Sequence, residues 1–307
     1  MSHPLSRPDS SHPVAFSLYC KSYRNDLKRT FRLAQSIDKF NVDTIPFYVS
    51  APRADIPLFQ DFLGNTSAVL VEDEDIIGKN PKIDLDRLQS LHGGLTQQIV
   101  KSEFWRMNFS SNYLCLDADS FFIRPFATDY FLSSEGTAYT VIDEAHELLD
   151  AALSMNKLAV IDNFQRETRL FKEIFERKGR DYSFGPNPVI WSNAVWRSLE
   201  ANFLDPLGIS FLEAVLRAPI DANWYGEALL KFKAIPMLPC QPLFKVYHYA
   251  WQLDRDIKSK VGEKELARLY AGVIYQSAWD REMDWPSEPG KWRSKLARRL
   301  RRGLGRM

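Results

Sequence analysis

The sequence predicts an α/β fold: a mostly parallel sheet flanked by helices, with a more helical region in the second half. Three observations predict it. Between residues 14 and 71, short apolar runs alternate with helix-patterned stretches in a β-α-β-α-β series, which implies parallel strands joined by crossover helices. Tyr113 to Leu116 form a continuous apolar run that reads as a buried strand. The 307 residues are 45% hydrophobic and 26% charged, an ordinary globular composition with enough chain for a substantial core. No internal repeat interrupts residues 14–290, which read as a single domain in two halves, 14–142 and 143–290.

Taken in order, residues 1–13 are a polar lead-in with three prolines and no apolar signal core. Val14 to Cys20 is the first strand. A polar loop, Lys21 to Asn25, follows, and Asp26 stands where a helix cap belongs. The helix runs to about Phe40, with Leu27, Phe31, Leu33, Ala34 and Ile37 on its apolar face. Ile45 to Val49 is a strand stopped by Ser50-Ala51-Pro52, Ile56 to Leu63 a short helix closed by Gly64, and Ala68 to Val71 a third strand. Glu72 to Asp86 reads as an acidic connection and Thr96 to Met107 as a helix. Beyond the central strand come a strand over Ala138 to Ile142 and mostly helix over residues 150–180. The turn Gly185-Pro186-Asn187-Pro188 precedes a strand over Val189 to Trp191, and Ser192 can cap the next helix. Phe211 to Leu216 and Ala222 to Phe232 are helical, Pro236 to Pro242 is irregular, Phe244 to Tyr249 is the last apolar strand, and residues 254–290 are polar and mixed.

Charge is unevenly placed. Eight of the 40 basic residues lie from Lys291 onward, where no acid occurs, so the remainder carries 32 bases against 39 acids. That balance argues against nucleic acid as a partner of the body of the chain. In the tail, Trp292, Leu296, Leu300 and Leu304 recur every four residues among cations, the pattern of a basic amphipathic helix suited to an anionic membrane surface; a solvated tail is the alternative. Cys20, Cys115 and Cys240 are too few and too scattered for a disulfide framework or a zinc site. No stretch of 18 apolar residues exists, and the expected location is cytoplasmic, with a peripheral membrane contact through the tail.

The central strand ends in Asp117 and Asp119. On an extended chain residues i and i+2 face the same way, and the carboxyl ends of strands in open α/β sheets are where ligands bind. Two carboxylates there repel unless something positive lies between them, and Mn²⁺ or Mg²⁺, shared with substrate phosphates, is the simplest candidate. Apolar residues resume at Phe121, Phe122 and Ile123, so the pair is clamped between two buried runs rather than set in a solvated turn.

A sheet followed by Asp-x-Asp with apolar flanks resembles nucleotide-sugar-dependent glycosyltransferases of the GT-A fold. More narrowly, the chain is similar to a bacterial glycosyltransferase-like family of unknown function. The resemblance is carried by Ser22-Tyr23-x-x-Asp26, Gln35-Ser36-Ile37-Asp38, Gln97-Gln98-x-x-Lys101, Leu116-Asp117-Ala118-Asp119-Ser120 with Arg124-Pro125, and Trp224-Tyr225-Gly226, in that order over residues 14 to about 250. Ile220-Asp221-Ala222 departs from the family's usual Ser-Glu-Tyr context, though a carboxylate is kept.

The resemblance implies transfer of a sugar from a nucleoside diphosphate sugar to a glycan or lipid-linked acceptor, as in bacterial surface polysaccharide synthesis. Residues 14–142 would bind the nucleotide and 143–290 the acceptor. Asp117 and Asp119 would contact the metal, Asp117 also serving the nucleotide, and His248 would be a third ligand or else a core histidine. Tyr23 would stack on the base, with Lys21 or Arg24 on phosphate. Asp26 would meet the nucleotide or only cap its helix, and Lys101 would face phosphate or lie on a helix surface. Asp221 and Glu227 are the candidates for a base that takes the acceptor proton, and inversion and retention both stay open. The competing functions are a haloacid-dehalogenase-like phosphohydrolase with Asp117 as nucleophile, and a non-catalytic sugar-nucleotide or glycan-binding protein.

Overall fold

A computed structural model describes residues 13–285, so the expectations for residues 1–12 and for the basic tail 291–307 lie outside the described residues. Among the described residues there are ten strands: β1 Val14–Lys21, β2 Phe47–Ala51, β3 Ala68–Glu72, β4 Ser110–Asp117, β5 Ser120–Phe122, β6 Tyr139–Val141, β7 Val189–Ser192, β8 Leu238–Cys240, β9 Phe244–Tyr247 and β10 Gly272–Tyr275.

The main sheet has the order β3-β2-β1-β4-β7. Its first four strands are parallel, and β7 closes the β4 edge antiparallel. The α/β class with a mostly parallel sheet flanked by helices is therefore present. The two central strands are buried on both faces: Leu18, Tyr19, Cys20, Tyr113, Leu114, Cys115 and Leu116 are all 0% exposed. Such strands show an unbroken apolar run rather than an alternating one, which is why β4 was legible. The register sets Lys21 opposite Asp117, so the loops that leave β1 and β4 emerge side by side at the carboxyl edge.

A second sheet, β5-β10-β9, meets that edge. β5 begins directly after the Asp-x-Asp segment and pairs antiparallel with β10, with Ser120 opposite Ile274. β10 runs parallel to β9, with Tyr275 opposite Tyr247. The residues that follow β10 and β9, Gln276 and His248, are thereby carried toward Asp119. Gly272 makes the pairing possible: a Cβ there would lie 2.2 Å from the Phe244 ring and 2.5 Å from the Phe121 carbonyl oxygen. β6 and β8 form a separate two-stranded sheet, where Pro239 is tolerated because the ladder is an edge.

Several expectations are corrected. Residues 72–86 are not one connection but hold the helix Asp73–Ile77 and the start of the helix Leu85–Ser90. The helix expected from Thr96 begins at Gly93 and ends at Glu103, where the chain tightens into a 3₁₀ turn over Phe104–Met107. The stretch 150–180 is mostly helical as expected, in two helices, His146–Ser154 and Leu158–Phe175. Residues 236–242 contain β8, and 254–275 hold most of the helix Ala250–Lys258, the helix Glu263–Leu266 and β10. Asp26 and Ser192 occupy N-cap positions, yet neither side chain caps the helix it precedes.

Candidate active site

Asp117 ends β4 with a quarter of its side chain exposed, and both of its oxygens are engaged. Lys101 Nζ donates to Oδ1 at 2.8 Å, Gln97 Nε2 donates to the same oxygen at 3.3 Å, and Asn187 Nδ2 donates to Oδ2 at 3.0 Å. Gln97 and Lys101 sit one turn apart on the helix Gly93–Glu103, so both face the strand end. Burial pushes the Asp117 carboxyl up, but the Lys101 ammonium, with its hydrogen bond and that of Asn187, outweighs burial and holds the group below its usual range. Lys101 is 2% exposed, and burial alone would depress it. The neighbouring carboxylates raise it well above the ordinary lysine value, so it is charged.

The same ammonium lies 3.7 Å from Asp221 Oδ2. Asp221 opens the helix Asp221–Phe232; its backbone N–H donates to Gln98 Oε1 at 3.1 Å, and its Oδ1 accepts the Ala222 N–H at 2.9 Å. Its Oδ2 is buried with no hydrogen-bond partner, and burial raises its pKa. The helix residues Lys101 and Gln98 thus tie the central strand to a helix more than a hundred residues away.

Asp119 is 8% exposed. Its Oδ2 accepts the Ser277 N–H at 2.8 Å, and its own carbonyl accepts from Arg32 at 3.2 Å. Burial, followed by the charge of Asp117, pushes its pKa up to about 6. His248 Nδ1 is 3.3 Å from Gln276 Nε2, and burial, aided by the Lys245 charge, lowers its pKa to about 4, so the ring is neutral. The dipeptide after β10 therefore touches both groups, Gln276 on His248 and Ser277 on Asp119.

The charge argument for a metal meets a second cation here, because Lys101 already lies against Asp117. Among the described residues no three His, Cys, Asp or Glu side chains converge closely enough to hold an ion by themselves. The donor chemistry nevertheless fits a hard cation shared with a ligand. Such an ion takes one or two carboxylates and fills its shell with phosphate oxygens and water. Asp119 is a carboxylate two residues from Asp117 whose Oδ2 accepts the Ser277 N–H.

The first loop departs further from expectation. Lys21 is 7% exposed and ion-paired with Asp73 at 2.8 Å, while Arg24 Nε donates to Asp55 Oδ1 at 2.7 Å. Both cations expected on phosphate have acidic partners of their own, on or beside the 53–55 turn and the helix after β3. Asp26 accepts from Arg29 at 2.9 Å, and burial raises its pKa. Arg29, 1% exposed, also donates to the Asp280 carbonyl and to Asp284, each at 2.7 Å, lashing the loop to residues 280–284. Tyr23 is 42% exposed.

Glu227 is corrected as a base candidate. It is 2% exposed, and Arg177 grips both of its oxygens at 2.6 and 2.8 Å, so it has neither a free oxygen edge nor a place on the cleft wall. Arg177 also donates to the Arg180 carbonyl at 2.7 Å and lies over the Tyr182 ring. Sequence reasoning passed over this role for Arg177 and over Asn187, which looked like a turn residue. The signal for Asn187 was its place between two prolines, where a plain turn asks for a polar residue but does not say what it touches.

The segment Trp224-Tyr225-Gly226 holds the loop that carries Asn187. Trp224 is 0% exposed and donates its Nε1–H to the Ala218 carbonyl at 2.8 Å. The Tyr225 hydroxyl accepts the Ser192 N–H of β7 at 2.9 Å. Gly226 seats the Phe184 ring, which a Cβ would meet at 2.0 Å. From Asp117, Asn187 and Asp221 a cleft of about 1200 Å³ opens into the second half of the chain, with His248 and Gln276 on its wall. Among the described residues no helix is long and apolar enough to cross a membrane.

Among solved structures, the chain is similar to a galactosyltransferase, LgtC, in complex with donor and acceptor sugar analogs: 15% identity, TM-score 0.48, covering 91% of this chain and 100% of that one. It is similar to mouse xyloside xylosyltransferase 1 in its apo form at 8% identity and TM-score 0.44, covering 86% and 99%. The bifunctional glycosyltransferase WbbM gives 8% identity and TM-score 0.48, covering 88% of this chain and 46% of that one. No curated protein matches. Residues 14–252, which contain β1, the acid pair, the Asn187 loop and His248, match one family throughout. The chain belongs to the family of unknown function DUF6492.

Proposed function

We propose that this chain is a glycosyltransferase that moves a sugar from a nucleoside diphosphate sugar to an acceptor hydroxyl. The observation that supports it most is the cluster Gln97–Lys101–Asp117–Asn187–Asp221 beside Asp119, at the carboxyl edge of a parallel sheet and at the mouth of a cleft of about 1200 Å³. Hydrogen-bonding groups of both kinds converge there on one polar floor, which suits the many hydroxyls of a sugar.

Asp119 and Asp117 would hold Mn²⁺ or Mg²⁺ together with the diphosphate, with His248 farther along the cleft wall rather than in a three-ligand cluster with them. When bound, the ion supplies positive charge to the leaving diphosphate. The chain's own residues do the rest. Tyr23, exposed beside the β1 edge, offers a ring face to the base. Lys101 holds Asp117 in its ionised form and keeps it fixed in place. Asp221 is the carboxylate left to accept a proton or hydrogen bond from a sugar hydroxyl, since Glu227 is locked by Arg177. The phosphohydrolase alternative sets its nucleophile near the start of the domain, whereas Asp117 follows three strands, β1 to β3. A membrane contact through residues 291–307 and a role in surface polysaccharide synthesis belong to the same proposal.

A thermal-shift screen of nucleoside diphosphate sugars with and without Mn²⁺ tests it. A donor at about 100 times its Kd stabilises the native state by about 2.7 kcal/mol. The shift is expected to need Mn²⁺ and to vanish in Asp119→Asn. A shift of equal size without metal, or none with any donor, overturns the reading.

A further inference from the structure

We infer that the acceptor group admitted by the cleft is a sugar ring free of phosphate and carboxylate, neutral or amine-bearing. The inference rests on the transferase reading of the same site and names its second substrate class. Six carboxylates line the cleft, Asp117, Asp143, Glu144, Glu147, Glu167 and Asp221, whereas no lysine or arginine does among the described lining residues. The cations that meet them are not part of the lining: Lys101 on Asp117, Arg180 on Glu144 at 2.6 Å, and Lys245 on Glu147. Asp143 accepts the Ala145 N–H at 2.9 Å. Charge on the wall therefore exceeds the charge that compensates it.

A separate observation points to a donor of hydrogen bonds as the occupant. Asp221, 7% exposed and part of the lining, keeps Oδ2 without a hydrogen-bond partner. A hydroxyl or ammonium satisfies such an oxygen; an anion cannot. Phe164, Tyr182 and Tyr270 belong to the same lining, and aromatic side chains there suit the apolar face of a ring whose hydroxyls reach the acids. Phosphate or carboxylate on the acceptor would meet like charge, which rejects by repulsion what the attractive contacts alone would admit. Asp117 is the lining carboxylate that the donor site shares, and there a bound cation would offset its charge; Tyr23 and Asp119 are not among the lining residues.

One ring in four charge states tests the inference: methyl glucoside, glucosamine, glucuronate and glucose 6-phosphate, titrated into the full chain by ligand-observed NMR. Methyl glucoside and glucosamine are expected to bind about tenfold more tightly than the two anions at low salt, with the gap narrowing at about 0.5 M salt, where charges are screened beyond a few ångströms. Asp143→Asn and Glu167→Gln, each a near-isosteric loss of one charge, are expected to narrow it as well. Equal binding of glucuronate and methyl glucoside, or no saturable binding of any ring, overturns the inference. Its failure is distinct from failure of the transferase reading, which the Mn²⁺-dependent donor shift reports independently.

Discussion

At the carboxyl edge of the main sheet, charges are paired close to their own layer: Lys21 with Asp73, Arg24 with Asp55, and Lys101 with Asp117. The wall across the cleft is assembled differently. Residues 176–188 carry no helix and only isolated bridging, and they are pinned from outside: Arg177 on Glu227, Lys172 on Asp181 at 2.5 Å, Arg180 on Glu144, and Phe184 on Gly226. Asn187 ends that loop and reaches back to Asp117 at 3.0 Å. One side of the site is thus fixed by buried strands, and the other by a few side chains that act at a distance. Loss of a pin should loosen the second side while the first stays intact.

The largest effect is expected on the sheet side. Lys101→Met leaves Asp117 and Asp221 buried without their shared cation, and breaking such a pair costs about 3–5 kcal/mol. Urea unfolding measures it, and adding Asp117→Asn in the same chain should return part of the loss, because one of the two stranded charges is then gone. Full additivity of the two substitutions would show that the pair is not coupled, and the contrast between the two sides would fall.

Gly226→Ala is intermediate. Its new Cβ collides with Phe184, and overpacking of this kind costs about 1–3 kcal/mol. The collision also displaces the loop that bears Asn187, so hydrogen exchange over residues 183–188 should rise while β1 and β4 keep their protection. Uniform protection across the chain would mean that the loop does not depend on this contact.

Glu227→Gln is the smallest, at about 1 kcal/mol, since the amide oxygen keeps one of the two hydrogen bonds from Arg177, which borders solvent, can turn its other N–H to water and retains its cation–π contact with Tyr182. Its value is diagnostic. A positioning residue should raise KM for the acceptor, speed exchange over residues 176–183 and leave the pH profile of kcat unchanged. Loss of one limb of that profile would restore Glu227 as a base.

The legible parts of the molecule share one property: their evidence is local. β1 and β4 are continuous apolar runs, Asp117 and Asp119 follow directly, and the first helix shows its buried stripe in residues 27–37. β10 left a similar mark in Val273, Ile274 and Tyr275, but four residues inside a polar stretch read as connection until β5 and β9 were beside them. The helix Ala250–Lys258 was obscured for the same reason, with only Gln252 and Asp256 buried along it.

The β-α-β-α-β series of the first half, the central strand and the acid pair at its end were decided by the sequence alone, because which stretches must leave water depends on neighbours along the chain. Partners of charged groups were decided only by tertiary structure. Lys101 and Glu227 are ordinary helix residues until folding brings Asp117 and Asp221 to one and Arg177 to the other, and at a few ångströms in a buried site that encounter sets what each group can do.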